Sequence, residues 1–377
     1  MESPLPELSS HPLLPVGWSE RVQALFAPLA DQGLVPARVV GVERGWCRLA
    51  TPAGEGSLPI GGKDLRRNSL GGRRPNHGLR EEEVLGGCPS CFAAGPLAIG
   101  DWVALDGEAV HKVLPRWSTL RRLDPDGVRQ VLAANIDVVL IAAPGDRLSP
   151  TRVERELVIA WDSGARPVVV LTKLDLAPSG AAAELAARLG AVDVIGSSAL
   201  AEDGLGEVRD LLVHPITAAF LGPSGAGKST LINALLGEDL LAVGSVRSED
   251  RRGRHTTTSR QLVPLPSGGS VIDMPGLRSL ATDASDGAVA SAFPEIDELA
   301  HGCRFADCAH QVEPGCAVLA AAASGDLASS RLASYHKLAR ETAFERRRTD
   351  RLAHTELVRT WKARSKEQRR ISRERER

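Results

Sequence analysis

The nine residues Gly222–Thr230, reading GPSGAGKST, constrain this chain more than any other stretch. They fit the pattern G-x-x-x-x-G-K-[ST], with Gly222, Gly227, Lys228 and Ser229 at the fixed positions. An apolar run, Ile216–Leu221, leads in, and a helix-like run, Leu231–Leu236, leads out. In a strand–loop–helix of this kind the backbone N–H groups curl around an anion, and the helix N-terminus adds its partial positive charge. The spacing predicts a phosphate-binding loop made of Gly222, Pro223, Ser224, Gly225, Ala226, Gly227, Lys228, Ser229 and Thr230. Lys228 is placed to reach the β- and γ-phosphates of a nucleotide, and the Ser229 hydroxyl to bind Mg²⁺. The bland alternative is a glycine-rich turn before a helix. The full set of fixed positions with both flanks argues against it. The loop by itself selects neither ATP nor GTP.

The surrounding chain narrows the choice. Between Ala133 and Gly276, apolar runs (Val138–Ala142, Pro167–Leu171, Val192–Ile195, Ile216–Leu221, Ser270–Ile272) alternate with helical candidates at Thr151–Asp162, Ala181–Leu189, Val208–Leu212 and Lys228–Leu236. This alternation predicts a mostly parallel sheet with helices on both faces, and ligands at the carboxyl ends of its strands. Thr172-Lys173-Leu174-Asp175 stands at one such end. A carboxylate fixed there accepts from both N1–H and the N2 amino group of guanine, which adenine does not offer in that arrangement. After the next strand come Ser197, Ser198 and Ala199, whose N–H groups suit the guanine O6. Downstream of the loop, GRHTTT (253–258) supplies a threonine, Thr257, able to bind Mg²⁺ and sense the γ-phosphate. Asp273-Met274-Pro275-Gly276 places Asp273 in the Mg²⁺ shell, through water, and the Gly276 N–H near the γ-phosphate. Together these are five guanine-nucleotide motifs in an unusual order, with base recognition ahead of the phosphate loop. Joining the usual termini and opening new ones, a circular permutation, accounts for that order.

The flanks read differently. Residues 1–34 are rich in Pro and Ser and read as a tail with one loosely docked helix, Trp18–Phe26. Short β-like runs follow at Ala37–Val42, Trp46–Ala50, Gly56–Pro59 and Asp101–Leu105, predicting a small five-stranded barrel of the oligonucleotide-binding type. Between them Lys63, Arg66, Arg67, Arg73, Arg74 and Arg80 meet only Asp64 as an acidic counterweight. Such a loop either tracks a nucleic-acid backbone or is a solvated surface. Cys88 and Cys91 form an isolated pair with too few ligands for zinc, and read as ordinary thiols. The pattern C-x₄-C-x-H-x₅-C at Cys303, Cys308, His310 and Cys316 supplies a closed tetrahedral set and predicts one structural zinc. A helical region, residues 325–357, succeeds it. From Trp361 to Arg377 eight basic residues stand against three acidic ones, in a chain whose formal net charge is −1. That tail reads as a frayed basic helix for rRNA phosphate, with a solvated tail as the alternative.

The permuted motif order, LAANIDVVLIAA (132–143), GRHTTT, DMPG and the cysteine cluster resemble the ribosome small-subunit-dependent GTPase A family (RsgA/YjeQ-like) over roughly residues 37–341. The resemblance implies an oligonucleotide-binding barrel, a permuted GTPase domain and a zinc module, with GTP as substrate, the 30S subunit and its rRNA as partners, and late subunit maturation as the task. Domains are expected at 35–118, 119–281 and 282–358, with the basic tail at 359–377. Thr172 stands where many GTPases carry Asn, implying somewhat weaker guanine binding. Leu277 stands where Ras-like enzymes place a water-orienting Gln, implying slow intrinsic hydrolysis. His255 is a candidate proton acceptor in its place, with packing or RNA contact as the alternative. A monomer in the cytoplasm with no membrane segment is expected, since no apolar run approaches ~20 residues. The rival from another class is an RNA-binding scaffold that holds guanine nucleotide with negligible hydrolysis.

Overall fold

The computed structural model describes residues 10–43, 46–59, 96–107, 109–123, 129–198, 204–237, 260–274, 284–350 and 355. Contacts divide the chain into two units, Met1–Leu120 with Val131–Arg278, and Arg121–Gln130 with Ser279–Arg377.

In the first unit the apolar runs become strands because each is bounded by polar or glycine-containing turns and buried on both faces. These are β8 (Val138–Pro144), β9 (Arg166–Thr172), β10 (Val194–Ser197), β11 (Thr217–Leu221) and β13 (Ser270–Asp273). They lie parallel in the order β10-β9-β8-β11-β13, in one register frame that aligns Ala142 with Val170 and Leu221 with Ile141. The connecting helices are α2 (Pro150–Ser163), α3 (Ala181–Leu189), α4 (Leu205–Leu211) and α5 (Lys228–Leu236). Leu140, Val168, Val170, Val208, Phe220, Ile232 and Val271 form the core beneath the site. Fully burying one such side chain contributes about 1.5–3 kcal/mol.

The N-terminal β-rich region adds β1 (Val35–Glu43), β2 (Trp46–Thr51), β3 (Gly54–Pro59), β4 (Trp102–Asp106) and β5 (Ala109–Val113). All five are antiparallel, in the order β3-β2-β1-β4-β5, around Ala37, Val39, Cys47, Leu49 and Val103. β12 (Arg260–Pro264), which no apolar run marks in advance, is antiparallel to β13 on one side and to β1 on the other. Its pairing makes the parallel and antiparallel strands one continuous sheet, so both regions fall in the same contact-defined unit. β6 (Thr119–Leu123) and β7 (Arg129–Ala134) form a separate two-stranded ribbon.

The reading of residues 1–34 as a tail with a loosely docked helix is corrected from residue 10 onward. Trp18 and Val22 are fully buried, and α1 (Glu20–Ala30) turns Phe26 and Leu29 into the same core. The Trp18 ring stacks on His11 at 3.9 Å and meets Trp102 edge-on at 5.5 Å. Arg38 of β1, fully buried, is the polar lock: it donates to the Val16 carbonyl, to Thr217 Oγ1 at 2.9 Å and to the Asn135 carbonyl at 3.2 Å. Burial lowers its pKa to about 10, and Asp137 and Asp101 oppose the shift. The composition of the segment hides this packing because its partners are distant in sequence: the Pro15 carbonyl accepts from Ser270 Oγ at 2.9 Å.

The second unit holds α6 (Asp286–Ala292), α7 (Pro294–Ala300), α8 (Ala317–Ser324) and a helix over residues 329–350. Arg331, nearly fully buried, donates to Glu295 Oε1 at 2.6 Å and sits 4.2 Å from the Phe293 ring centroid. The loop carrying Lys63 to Arg80, the pair Cys88 and Cys91, and the tail from Trp361 lie outside the described residues.

Candidate nucleotide and metal sites

Gly222 turns the chain out of β11 at φ +135°, and a Cβ there would sit 2.6 Å from the Ala142 carbonyl oxygen, so only glycine fits. The loop then delivers Lys228, Ser229 and Thr230 to the first turn of α5. Lys228 Nζ donates to the carbonyls of Gly222 and Pro223, both at 2.8 Å, so its ammonium lies across the mouth of its own loop. Burial lowers the Lys228 pKa, while the charges of Glu156 and Asp273 raise it. Asp273, at the end of β13, is shifted up by burial, against Lys228 and the Met274 N–H. The Ser229 hydroxyl and the Asp273 carboxylate are hard oxygen donors of the kind Mg²⁺ takes.

On the base side, Thr172 ends β9 and its Oγ1 donates to the Ala226 carbonyl at 2.6 Å. The threonine at the Asn position thus ties the T-K-L-D segment directly to the phosphate loop. Lys173 takes a left-handed conformation, φ +53°, and Leu174 packs at Gly196, where a Cβ would come within 2.9 Å of Leu174 Cδ2. Asp175 Oδ1 accepts from Ser198 Oγ at 2.7 Å, so the two expected base-reading segments meet. The sequence reading assigned Ser198 a backbone role; its hydroxyl also orients the Asp175 carboxylate. Ala199, Thr257, Gly276, Leu277 and His255 lie outside the described residues.

Three residues escaped the sequence reading. Asp146 and Arg147 directly follow β8, a strand end that the rule for parallel sheets marks as ligand-proximal. Glu156, on α2, shares with Arg147, Arg152, Pro223 and Ser224 the walls of a cavity of about 420 Å³ beside the phosphate loop. Burial pushes its carboxyl up to about 7, against the charges of Arg152, Lys228 and Arg155. Only the register of α2 against the loop could have revealed Glu156.

In the second unit Cys303, Cys308, His310 and Cys316 bring one ligand atom each within 4.8 Å of all the others. Cys303 Sγ is 3.8 Å from Cys316 Sγ and 3.6 Å from His310 Nδ1, and His310 Nδ1 is 3.4 Å from Cys316 Sγ. A tetrahedral ion with bonds of about 2.3 Å to sulfur and 2.0–2.1 Å to nitrogen needs edges near 3.8 and 3.5 Å. The cluster is therefore compatible with zinc. Cys316 caps α8, its sulfur accepting from the Leu319 N–H at 3.4 Å. Glu313 closes the ligand loop by accepting from the N–H groups of Ala309, Gln311 and Val312 at 3.1, 2.7 and 3.0 Å. Those donors, led by the Gln311 N–H, lower its carboxyl to about 2.

Residues 113–283 match the family model described as RsgA GTPase. A small ribosomal subunit biogenesis GTPase RsgA from Streptomyces avermitilis is 41% identical over 370 residues, covering 95% of this chain and 93% of the relative. A protein of the same name from Streptomyces coelicolor is 40% identical, covering 92% and 91%. Among solved structures, YjeQ from Thermotoga maritima aligns with a TM-score of 0.57 at 22% identity, over 82% of this chain and 99% of that one. YloQ, described as a circularly permuted GTPase, aligns at 0.55 and 22%, covering 82% and 95%. The fold is thus that of a permuted GTPase, reached independently by strand order and by these alignments. With identity above 40% sustained along nearly the whole length of a relative, the chain belongs to the RsgA family of small ribosomal subunit biogenesis GTPases.

Proposed function

We propose that this protein hydrolyses GTP to GDP and phosphate while docked on the small ribosomal subunit, assisting late steps of its maturation. The observation that carries the reading is the Thr172–Ala226 hydrogen bond, with Asp175 and Ser198 behind it. It ties the Asp175 segment to the phosphate loop at the carboxyl ends of β9 and β11, the two parallel strands that flank β8. Family membership and the relatives' names supply the subunit as the docking partner.

In this reading Asp175 accepts from guanine N1–H and N2, and Lys228 exchanges the carbonyls of Gly222 and Pro223 for phosphate oxygens. The N–H groups from Ser224 to Thr230 cradle the phosphates. Ser229 and Asp273 would hold Mg²⁺, whose charge offsets that developing on the phosphates. Thr257 senses the γ-phosphate, Gly276 caps it, and His255 takes the proton of the attacking water. Cys303, Cys308, His310 and Cys316 hold one zinc and thereby fold a module with little core of its own. The β-rich region and the basic tail contact rRNA phosphate. Among the described residues no helix is long and apolar enough to cross a membrane, and we place the protein in the cytoplasm as a monomer.

A phosphate-release assay with purified small subunits tests the central claim. GTP turnover that rises severalfold on adding subunits, with ATP inert, is the expected result. Negligible turnover both with and without subunits would leave only a guanine-nucleotide scaffold. His255→Ala is expected to lose the stimulated rate while keeping GTP affinity.

A further inference from the structure

The turn between β8 and α2, Gly145–Arg147, belongs to none of the nucleotide motifs, yet its side chains end on two of them. Asp146 Oδ2 accepts from Lys173 Nζ at 3.1 Å, on the base side. Arg147 Nη2 donates to the Gly225 carbonyl at 3.3 Å, on the phosphate side. Arg147 Nε also lies 3.8 Å from Asp146 Oδ1, so an alternating run of charges links Lys173 to the phosphate loop. The backbone beneath is equally close. A Cβ on Gly145 would meet Ala177 Cβ at 2.7 Å and the Lys173 carbonyl at 2.8 Å, so the turn is pressed onto the T-K-L-D backbone.

Folding stability does not explain this arrangement. The side chains of Asp146, Lys173 and Arg147 are 32%, 33% and 59% exposed. Ion pairs this open contribute about 0–1 kcal/mol. What they can do is fix geometry. A nucleotide must be gripped at base and phosphates at once, and a loop that wanders between the two loses that simultaneous grip. Thr172 supplies one tie between the segments from inside the fold; the turn supplies a second from the solvent side. Arg147 also forms part of the cavity wall shared with Pro223 and Ser224, so it borders the space on the other flank of the loop.

We infer that Asp146 and Arg147 are positioning residues for guanine-nucleotide binding, holding the base-reading and phosphate-binding loops at the separation that one nucleotide spans. The inference rests on the reading of Gly222–Thr230 and Asp175 as the nucleotide site. It assigns Lys173 a role as the anchor of Asp146. It makes Arg147, from the β8–α2 turn and outside every motif, a second cation on the phosphate loop beside Lys228.

Release of mant-GDP, followed by stopped flow on the full-length chain, tests this. Arg147→Ala and Asp146→Asn should each release the nucleotide about tenfold faster, the scale of one charge-assisted hydrogen bond. Arg147→Lys should restore part of the loss, and the melting temperature of the nucleotide-free variants should stay at the wild-type value. Release from wild type should quicken with added salt, and release from Arg147→Ala should respond less. Wild-type release rates in Arg147→Ala and Asp146→Asn, with Lys228→Ala impaired, would overturn the inference alone. Faster release accompanied by a matching fall in melting temperature would also overturn it, since the contacts would then be structural. Failure of wild type to bind mant-GDP, or unimpaired binding by Lys228→Ala, would overturn the site reading and the inference with it.

Discussion

Replacing Glu156 by Gln should stabilise the nucleotide-free protein, in a pH window fixed by its environment. The carboxyl has an ordinary value of 4.5 and is pushed up to about 7 in the fold, chiefly by burial. The sign follows from linkage. The folded state holds the proton more tightly than the unfolded chain, so the benefit is complete below 4.5 and lost as pH rises through 7. Above 7 the fold carries a penalised carboxylate. A shift of this size corresponds to about 3 kcal/mol at 1.36 kcal/mol per unit. Water reaching a half-buried group reduces this to about 1–2 kcal/mol. Glutamine has nearly the same shape and no charge, so Glu156→Gln should gain that amount at pH 8. At pH 5.5 the gain should shrink by roughly half, because the wild-type carboxyl is by then largely protonated in the fold. Urea unfolding followed by tryptophan fluorescence suits the measurement, since five of the six tryptophans (18, 46, 102, 117 and 161) lie in the first unit. A variant less stable than wild type at pH 8 would refute the reasoning. It would mean that attraction to Lys228, Arg152 and Arg155 outweighs desolvation.

Three further outcomes follow from other contacts. Thr172→Val keeps the shape of the side chain but leaves the buried Ala226 carbonyl without its donor; stability by urea unfolding should fall by about 1–3 kcal/mol, and GTP affinity measured by calorimetry about tenfold. Arg38→Met removes the bonds to the Val16 carbonyl, Thr217 and Asn135 in a fully buried site, and should cost about 3–5 kcal/mol by urea unfolding. Chelation, or Cys316→Ala, should release one equivalent of zinc by colorimetric assay and lose helical signal from the second unit. A spectrum indifferent to chelator would contradict a structural ion.

The parts of the fold visible in the sequence were those governed by local rules. Ala181–Leu189 and Lys228–Leu236 are helices with the boundaries their periodicity predicts, and the strands around the phosphate loop fall within two residues of the apolar runs. The zinc ligands were legible because four soft donors at short spacing have few other uses. Long-range partnerships were not legible. Arg260–Pro264 carries only two apolar side chains, Leu262 and Val263, and becomes a strand because β1 and β13 offer it two edges. His11 and Trp18 look like parts of a proline-rich tail, and Arg38 like one residue of a short β-like run, until the fold brings them together. Glu156 and Arg147 were hidden for the same reason: their meaning depends on which loop stands opposite.

The permutation gives these hidden contacts a common purpose. In this chain order Thr172–Asp175, which we propose reads the base, precedes the phosphate loop by 47 residues, counting from Asp175 to Gly222, so no short covalent link holds one to the other. Their alignment must come from side chains. Thr172 reaches Ala226 across the sheet, and Arg147 reaches Gly225 from the neighbouring turn. Arg38 extends the same logic to the N-terminal strands, since its bond to Thr217 falls on the first residue of the strand that feeds the phosphate loop. β12 completes the connection, because it pairs with β1 on one edge and with the strand bearing Asp273 on the other. A continuous ladder, Asp273 to Gln261 to Gly41, thus joins the end of β13 to the β-rich region. Breaking one side-chain tie should loosen nucleotide binding, whereas breaking the ladder should uncouple binding from whatever the N-terminal strands hold.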